Sequence, residues 1–132
     1  MTDRGLISIA AETLPKAYSP YSRIKVGAAI ECTDGSIFRG CNIENAAFGA
    51  SICAEAAALS AAITAGQRSF KRLAIISDSN SYCFPCGACR QLLVEFAPEL
   101  EVLSAKADGR YVSYTMSYLL PMAFGKDQMS NL

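Results

Sequence analysis

Apolar residues recur at roughly helical spacing from Leu6 to Tyr18 (Leu6, Ile7, Ile9, Ala10, Leu14, Ala17 and Tyr18), interrupted by Pro15, and predict a first helix. Ser19-Pro20-Tyr21-Ser22 ends it. Two strands follow, Ile24 to Cys32 and Ser36 to Arg39, joined at Asp34-Gly35, a hairpin turn signal. The stretch from Asn42 to Ser51 is small and polar and reads as a structured loop. Cys53 to Ala65, dominated by alanine with Leu59 and Ile63, predicts a helix closed by Gly66, and alanine on most faces suggests that neighbours pack it closely. Leu73 to Ser77 is almost wholly apolar, as a strand covered on both faces would be. Pro85 introduces a further helix, Cys86 to Phe96, which Pro98 stops. Leu100 to Ala105 and, more weakly, Arg110 to Thr115 read as strands, and Met116 to Leu120 as a last short helix.

This order predicts an α/β fold of three layers, α/β/α, with one mixed five-stranded sheet between helices and parallel strands late in the chain. No repeat, linker or low-complexity tract divides the sequence, and 132 residues that are 52% hydrophobic suit one domain spanning 1–132. No apolar run reaches about 18 residues and the N-terminus lacks a charged-then-apolar signal, so a soluble cytoplasmic protein with no membrane partner is expected. Formal net charge is zero, so no basic field points to nucleic acid.

Six cysteines and no histidine change the picture most. A reducing compartment disfavours disulfides, which leaves metal binding or catalysis for paired cysteines. The absence of histidine removes Ser-His-Asp and Cys-His chemistry and any imidazole-ligated metal. Cys86 and Cys89 lie three apart at a helix entrance, about 60° from one another around the axis, so both thiolates can face one ion. Cys53, at the entrance of the other helix, adds a third. Three protein ligands on tetrahedral zinc leave one corner for water, as catalytic sites do. Backbone N–H groups at the two helix N-termini moderate the thiolate charge. Glu55 follows Cys53 by two, a step of about 200° in a regular helix, so the two converge only because Cys53 precedes the helical backbone. A carboxyl beside thiolates tends to hold a proton, and such a group can take one from activated water and pass it to a leaving amine.

Cys53-Ala54-Glu55 followed by Pro85-Cys86-Gly87-Ala88-Cys89-Arg90 resembles the zinc-dependent cytidine deaminases of the short homotetrameric type. The likeness runs through Tyr18-Ser19-Pro20-Tyr21-Ser22, Val26-Gly27-Ala28-Ala29, the segment Gly40 to Ala47 and Leu119-Leu120-Pro121. It implies one zinc per subunit on Cys53, Cys86 and Cys89, with Glu55 shuttling protons while activated water attacks C4 of the pyrimidine and ammonia leaves. It implies that Asn42 and Glu44 grip the ribose 3′-hydroxyl. Backbone groups of Ala54 and Phe84 would orient the base, and Phe124 would reach a neighbouring subunit's pocket in a homotetramer with shared sites. The expected reaction is hydrolysis of cytidine and deoxycytidine to the uridine forms in pyrimidine salvage.

Three positions depart from the family pattern: Ala56 replaces an arginine that contacts the thiolates, Ile24 an aromatic that stacks on the base, and Phe48 a tyrosine near the ribose. Alternatives stay open: a deaminase of a nucleoside analogue such as blasticidin S, or a non-catalytic structural zinc module in which Cys83 completes four thiolates. The Cys83-x-x-Cys86-x-x-Cys89 spacing also matches iron–sulfur ligation, with Cys53 as fourth ligand. Cys83 is otherwise a loop thiol without a role, and Cys32 and Cys41 small buried hydrophobes. Arg90 is expected to pair with an acid on the helix surface, and Tyr18 and Tyr21 to serve in packing.

Overall fold

The computed structural model describes residues 1–130; positions 131 and 132 of the expected domain lie outside the described residues. The elements run α1 (Asp3–Ala11), β1 (Val26–Cys32), β2 (Ile37–Cys41), α2 (Ala54–Thr64), β3 (Phe70–Ser77), α3 (Gly87–Phe96), β4 (Glu101–Ala105), β5 (Tyr111–Thr115), α4 (Met116–Leu119) and α5 (Lys126–Met129). The strands form one sheet in the order β2-β1-β3-β4-β5. Only β3 and β4 are parallel; β5 returns antiparallel on β4, so the late parallel pairing expected from the sequence stops at one pair. No helix among the described residues is long and apolar enough to cross a membrane.

Alternation along the strands builds two cores. Ala29, Ala74, Ile76 and Leu103 face α1 and meet Leu6, Ile7 and Ala10. Ala28, Ile30, Leu73, Ile75 and Val102 face the other way, against Ala58 and Leu59 of α2 and Leu93 of α3. The result is the three-layer α/β/α arrangement, because a two-residue side-chain period loads both sheet faces.

Helix α1 differs from its expected span at both ends. Thr2 caps it, accepting the Gly5 N–H at 3.0 Å, so it starts before Leu6. It ends at Ala11 because Thr13 Oγ1 donates to Ala10 O at 2.8 Å, and Pro15, which cannot continue a helix, sits in a separate tight turn, Leu14–Lys16. Within the expected loop, Phe48–Ala50 also makes one such turn, and α5 follows where no element was expected. Helix α2 is covered on one side only: Ala54, Glu55, Ala58, Leu59 and Ala62 are buried, while Ser60, Ala61 and Thr64 are exposed, so its alanines are not all packed within the chain.

Two close approaches set the helices on the sheet. A Cβ at Gly40 would stand 2.5 Å from both Ala54 O and Ala58 N, so α2 rests directly on the backbone of β2. Gly27 gives the same room on the opposite face to Ala10 O and Thr13 Oγ1.

Candidate active site

Three extended pieces line up at the end of the sheet. Tyr18 bridges to Ile43 in parallel, and Ile43 to Ile52 in antiparallel, through Tyr18 N–H to Asn42 O (3.0 Å), Glu44 N–H to Tyr18 O (2.8 Å) and the reciprocal Ile43–Ile52 pair (2.9 and 2.8 Å). This ladder carries Asn42, Glu44 and Cys53 into one cleft of about 550 Å³. The cleft is lined by Tyr21, Ser22, Val26, Asn42, Glu44, Phe48, Ser51 and Ile52, together with Cys53, Ala54, Glu55, Cys83, Phe84 and Cys86.

Cys53 and Cys86 occupy the N-cap positions of α2 and α3, each with extended backbone, which is why Cys53 and Glu55 can face the same centre. Cys89 lies one turn into α3. The sulfurs of Cys53, Cys86 and Cys89 all lie within 4.8 Å of one another, and the first two are 3.9 Å apart. Zinc–sulfur bonds of about 2.3 Å in tetrahedral geometry set sulfurs about 3.8 Å apart, so this donor set fits zinc. Cys83 lines the cleft but its sulfur stands outside that cluster, so the four-thiolate zinc arrangement finds no fourth ligand there.

The charge environment matches a cation site. Burial pushes the Cys53 and Cys89 thiols up, and for Cys89 the negative charge of Glu55 and Cys53 adds to it. Burial opposes the Cys86 thiolate as well, but N–H groups of Cys89 and Ala88 and the neighbouring thiols outweigh it and hold Cys86 below its ordinary value. Cys83 is pushed up to about 12 by burial first, then by the charges of Glu55 and Cys53. Glu55 is 5% exposed; burial raises its pKa, opposed by its own N–H and by the Cys89 thiol against which it lies. Crowded thiols and a buried carboxyl repel one another as anions, and a divalent ion among them offsets that repulsion.

Asn42 spends its amide on the segment entering β1: Nδ2 donates to Ile24 O and Oδ1 accepts the Val26 N–H, each at 2.9 Å. Glu44 is held by the Tyr21 and Ser22 N–H groups at 3.0 and 3.1 Å and by the Ser22 hydroxyl. Ala54, next to Cys53, is fully buried, and Phe84 is partly exposed with its ring 6.0 Å from that of Tyr114.

Several expectations need correction. Arg90 does not pair with a surface acid; it donates to Pro85 O at 2.8 Å and Leu119 O at 2.7 Å, tying the turn before Cys86 to α4. Tyr18 and Tyr21 are not packing residues, being 56% and 51% exposed, and Tyr21 lines the cleft with its ring edge-on to Phe48 at 6.0 Å. Ile24 is exposed and does not line the cleft. Cys32 is buried as expected, but Cys41 only partly. Phe124, expected to act on a neighbouring copy, is not contradicted: it does not line its own chain's cleft, is 59% exposed, and its carbonyl accepts from Gln91 Nε2 at 2.8 Å. The sequence marks Ser22 only as part of the Tyr18-to-Ser22 motif, with no role of its own. The signal for it was local: a serine whose hydroxyl takes the N–H two residues on, here Ile24 at 3.1 Å, is a turn device that leaves its proton for another partner.

Comparison with known proteins places these residues in context. The family profile described as "Cytidine and deoxycytidylate deaminase zinc-binding region" matches residues 1–104. The chain is 42% identical over 126 residues to the cytidine deaminase of Sporosarcina psychrophila, covering 95% of this chain and 93% of that one. The crystal structure of cytidine deaminase from Burkholderia pseudomallei superposes with a TM-score of 0.90 at 43% identity, covering 94% of this chain and all of that one. The blasticidin-S deaminase of Bacillus cereus is 29% identical over 133 residues, covering 95% and 94% of the two chains.

Proposed function

From the premise that this chain belongs to the cytidine and deoxycytidylate deaminase family, we propose that it hydrolyses the 4-amino group of cytidine and deoxycytidine, giving the uridine forms and ammonia. In this reading residues 1–132 make one deaminase-like catalytic domain, and Cys53, Cys86 and Cys89 hold one zinc ion. When bound, zinc supplies the Lewis acidity that brings the pKa of water toward neutrality. Glu55 carries the protons: as the carboxylate it takes one from the attacking water and delivers it to N3 of the pyrimidine, then takes the proton of the new C4 hydroxyl and passes it to the departing 4-amino nitrogen as the C4 carbonyl forms. Water and cytidine enter; uridine and ammonia leave.

Asn42 and Glu44 receive the sugar hydroxyl and favour a free nucleoside over a bare base. Backbone groups of Ala54 and Phe84 orient the ring. Phe124 acts in the cleft of a neighbouring copy, in a homotetramer with shared sites in the cytoplasm, and its exposure outside the lining of its own cleft is consistent with that. The family's general role makes pyrimidine salvage the setting. The analogue reading has less behind it, at 29% identity against 42%.

The single observation that carries the proposal is the trio of sulfurs at zinc-coordinating separations with Glu55 buried beside Cys89. An ultraviolet assay of cytidine, deoxycytidine, cytosine, cytidine monophosphate and blasticidin S, run with metal analysis and sedimentation, tests it. We expect turnover of the two free nucleosides, one zinc per chain, loss of activity on chelation with recovery on added zinc, and a tetramer. Zinc-loaded protein that leaves cytidine intact would refute the function.

A further inference from the structure

Glu44 is built into the cleft by the segment ahead of β1. Its Oε1 accepts the N–H groups of Tyr21 and Ser22, and its Oε2 accepts the Ser22 hydroxyl. The Ser22 oxygen in turn accepts the Ile24 N–H at 3.1 Å. An ionised carboxylate only accepts, so the single proton of the Ser22 hydroxyl lies toward Glu44 while its oxygen takes the Ile24 N–H. A carboxylate offers about four acceptor positions. The clamp takes three of them, which leaves one for an incoming donor.

We propose that Ser22 is a positioning residue for sugar recognition: its hydroxyl fixes the Glu44 carboxylate so that the remaining acceptor position meets the ribose 3′-hydroxyl. The inference rests on the reading of Glu44 as the sugar-binding acid. Both residues line the cleft, and the hydrogen bonds of Ser22 go to Glu44 and Ile24, not to the sulfurs or Glu55. A glutamate at a solvent-exposed rim otherwise samples several rotamers, and ordering it in the free protein spares that loss when the nucleoside binds. The clamp has an electrostatic side: the Ser22 hydroxyl first, then the Ser22 and Tyr21 N–H groups, hold the Glu44 carboxyl below its ordinary value, which keeps it an acceptor only. It therefore welcomes a hydroxyl donor and has nothing to offer a sugar lacking one.

The test compares wild type, Ser22→Ala, Ser22→Val, Ser22→Thr and Glu44→Gln, each zinc-loaded, on cytidine and 3′-deoxycytidine. Ser22→Ala and Ser22→Val should raise KM for cytidine about ten-fold with a much smaller change in kcat. Ser22→Thr, which restores the hydroxyl, should return KM to near the parent value, and 3′-deoxycytidine should bind wild type and Ser22→Ala alike. If Glu44→Gln weakens cytidine but Ser22→Ala does not, the role of Ser22 is wrong while the sugar-binding role of Glu44 survives. If Glu44→Gln leaves the cytidine KM unchanged, the reading of Glu44 falls and this inference with it. Equal losses on both substrates with a lowered melting temperature would reduce Ser22 to a structural part and overturn the proposal.

Discussion

Glu55 shows how one side chain acquires its chemistry from its surroundings. It is the second residue of α2, buried against Cys89, and desolvation favours its neutral form. A carboxyl whose charged form is disfavoured holds a proton more readily than an exposed glutamate does, which suits a group that takes a proton and hands it on. Glu55→Gln keeps the shape and the hydrogen-bonding reach but cannot carry the proton. We expect unchanged zinc content and melting temperature, with kcat lower by about 10²–10⁴-fold. A variant that turns over cytidine at the parental rate would remove Glu55 from the mechanism. The positions that depart from the family pattern act at this scale too. Ala56 brings no cation to the thiolates, and the Arg90 guanidinium is turned to two carbonyls, so the N–H groups at the start of α3 and the neighbouring thiols carry the moderation of charge seen at Cys86.

At the scale of elements, the site depends on where two helices begin. Helix α2 owes its position to Gly40, whose missing side chain lets the turns at Ala54 and Ala58 rest on β2. Because Cys53 and Glu55 ride on that first turn, any lift of α2 from the sheet separates them from Cys86 and Cys89. Gly40→Ala forces such a lift: the added carbon would stand 2.5 Å from backbone atoms of α2, which cannot rotate away. We expect a loss of about 1–3 kcal/mol in stability, and weaker zinc binding in competition with a chelator. Parental melting temperature and zinc affinity in this variant would show that the contact does not set the helix.

Across the whole molecule, the N-terminus is fastened to the sheet by one buried cation. Arg72 on β3 donates through Nε to Glu31 (2.7 Å), through Nη1 to Asp3 (2.8 Å) and through Nη2 to Met1 O (2.6 Å), and the Arg72 and Glu31 side chains are 10% and 6% exposed. The Arg72 hydrogen bond, working against burial, holds Glu31 below its ordinary 4.5. A depressed carboxylate stabilises the fold above its unfolded pKa and loses that contribution as pH falls through the folded one. The melting temperature should therefore begin to drop as pH goes below about 4.5. Arg72→Met strands the carboxylates and should cost about 3–5 kcal/mol near neutral pH, with the gap to wild type narrowing in acid as Glu31 takes up its proton. Thermal melts from neutral pH to pH 3 at fixed zinc check both; a gap that stays constant would mean that the pair does not titrate as described.

The sequence by itself determined the short-range facts. It placed the five strands and helices α2 and α3 to within a few residues, though not the end of α1 or the short α5, put Cys53 and Cys86 at helix entrances, and set Cys86 and Cys89 on one side of α3, because side-chain period, caps and proline act over a turn or two. Only the tertiary structure decided which distant groups meet. Cys53 and Cys86 are 33 positions apart and touch because α2 and α3 pack on the same sheet face; Cys83 stays outside the cluster although its spacing resembles that of the ligands. Glu44 is clamped by a segment more than twenty positions earlier, and β5 reverses on β4 instead of continuing the parallel pair. Such meetings depend on core packing and strand register, which join residues far apart in the chain and leave no local period to read.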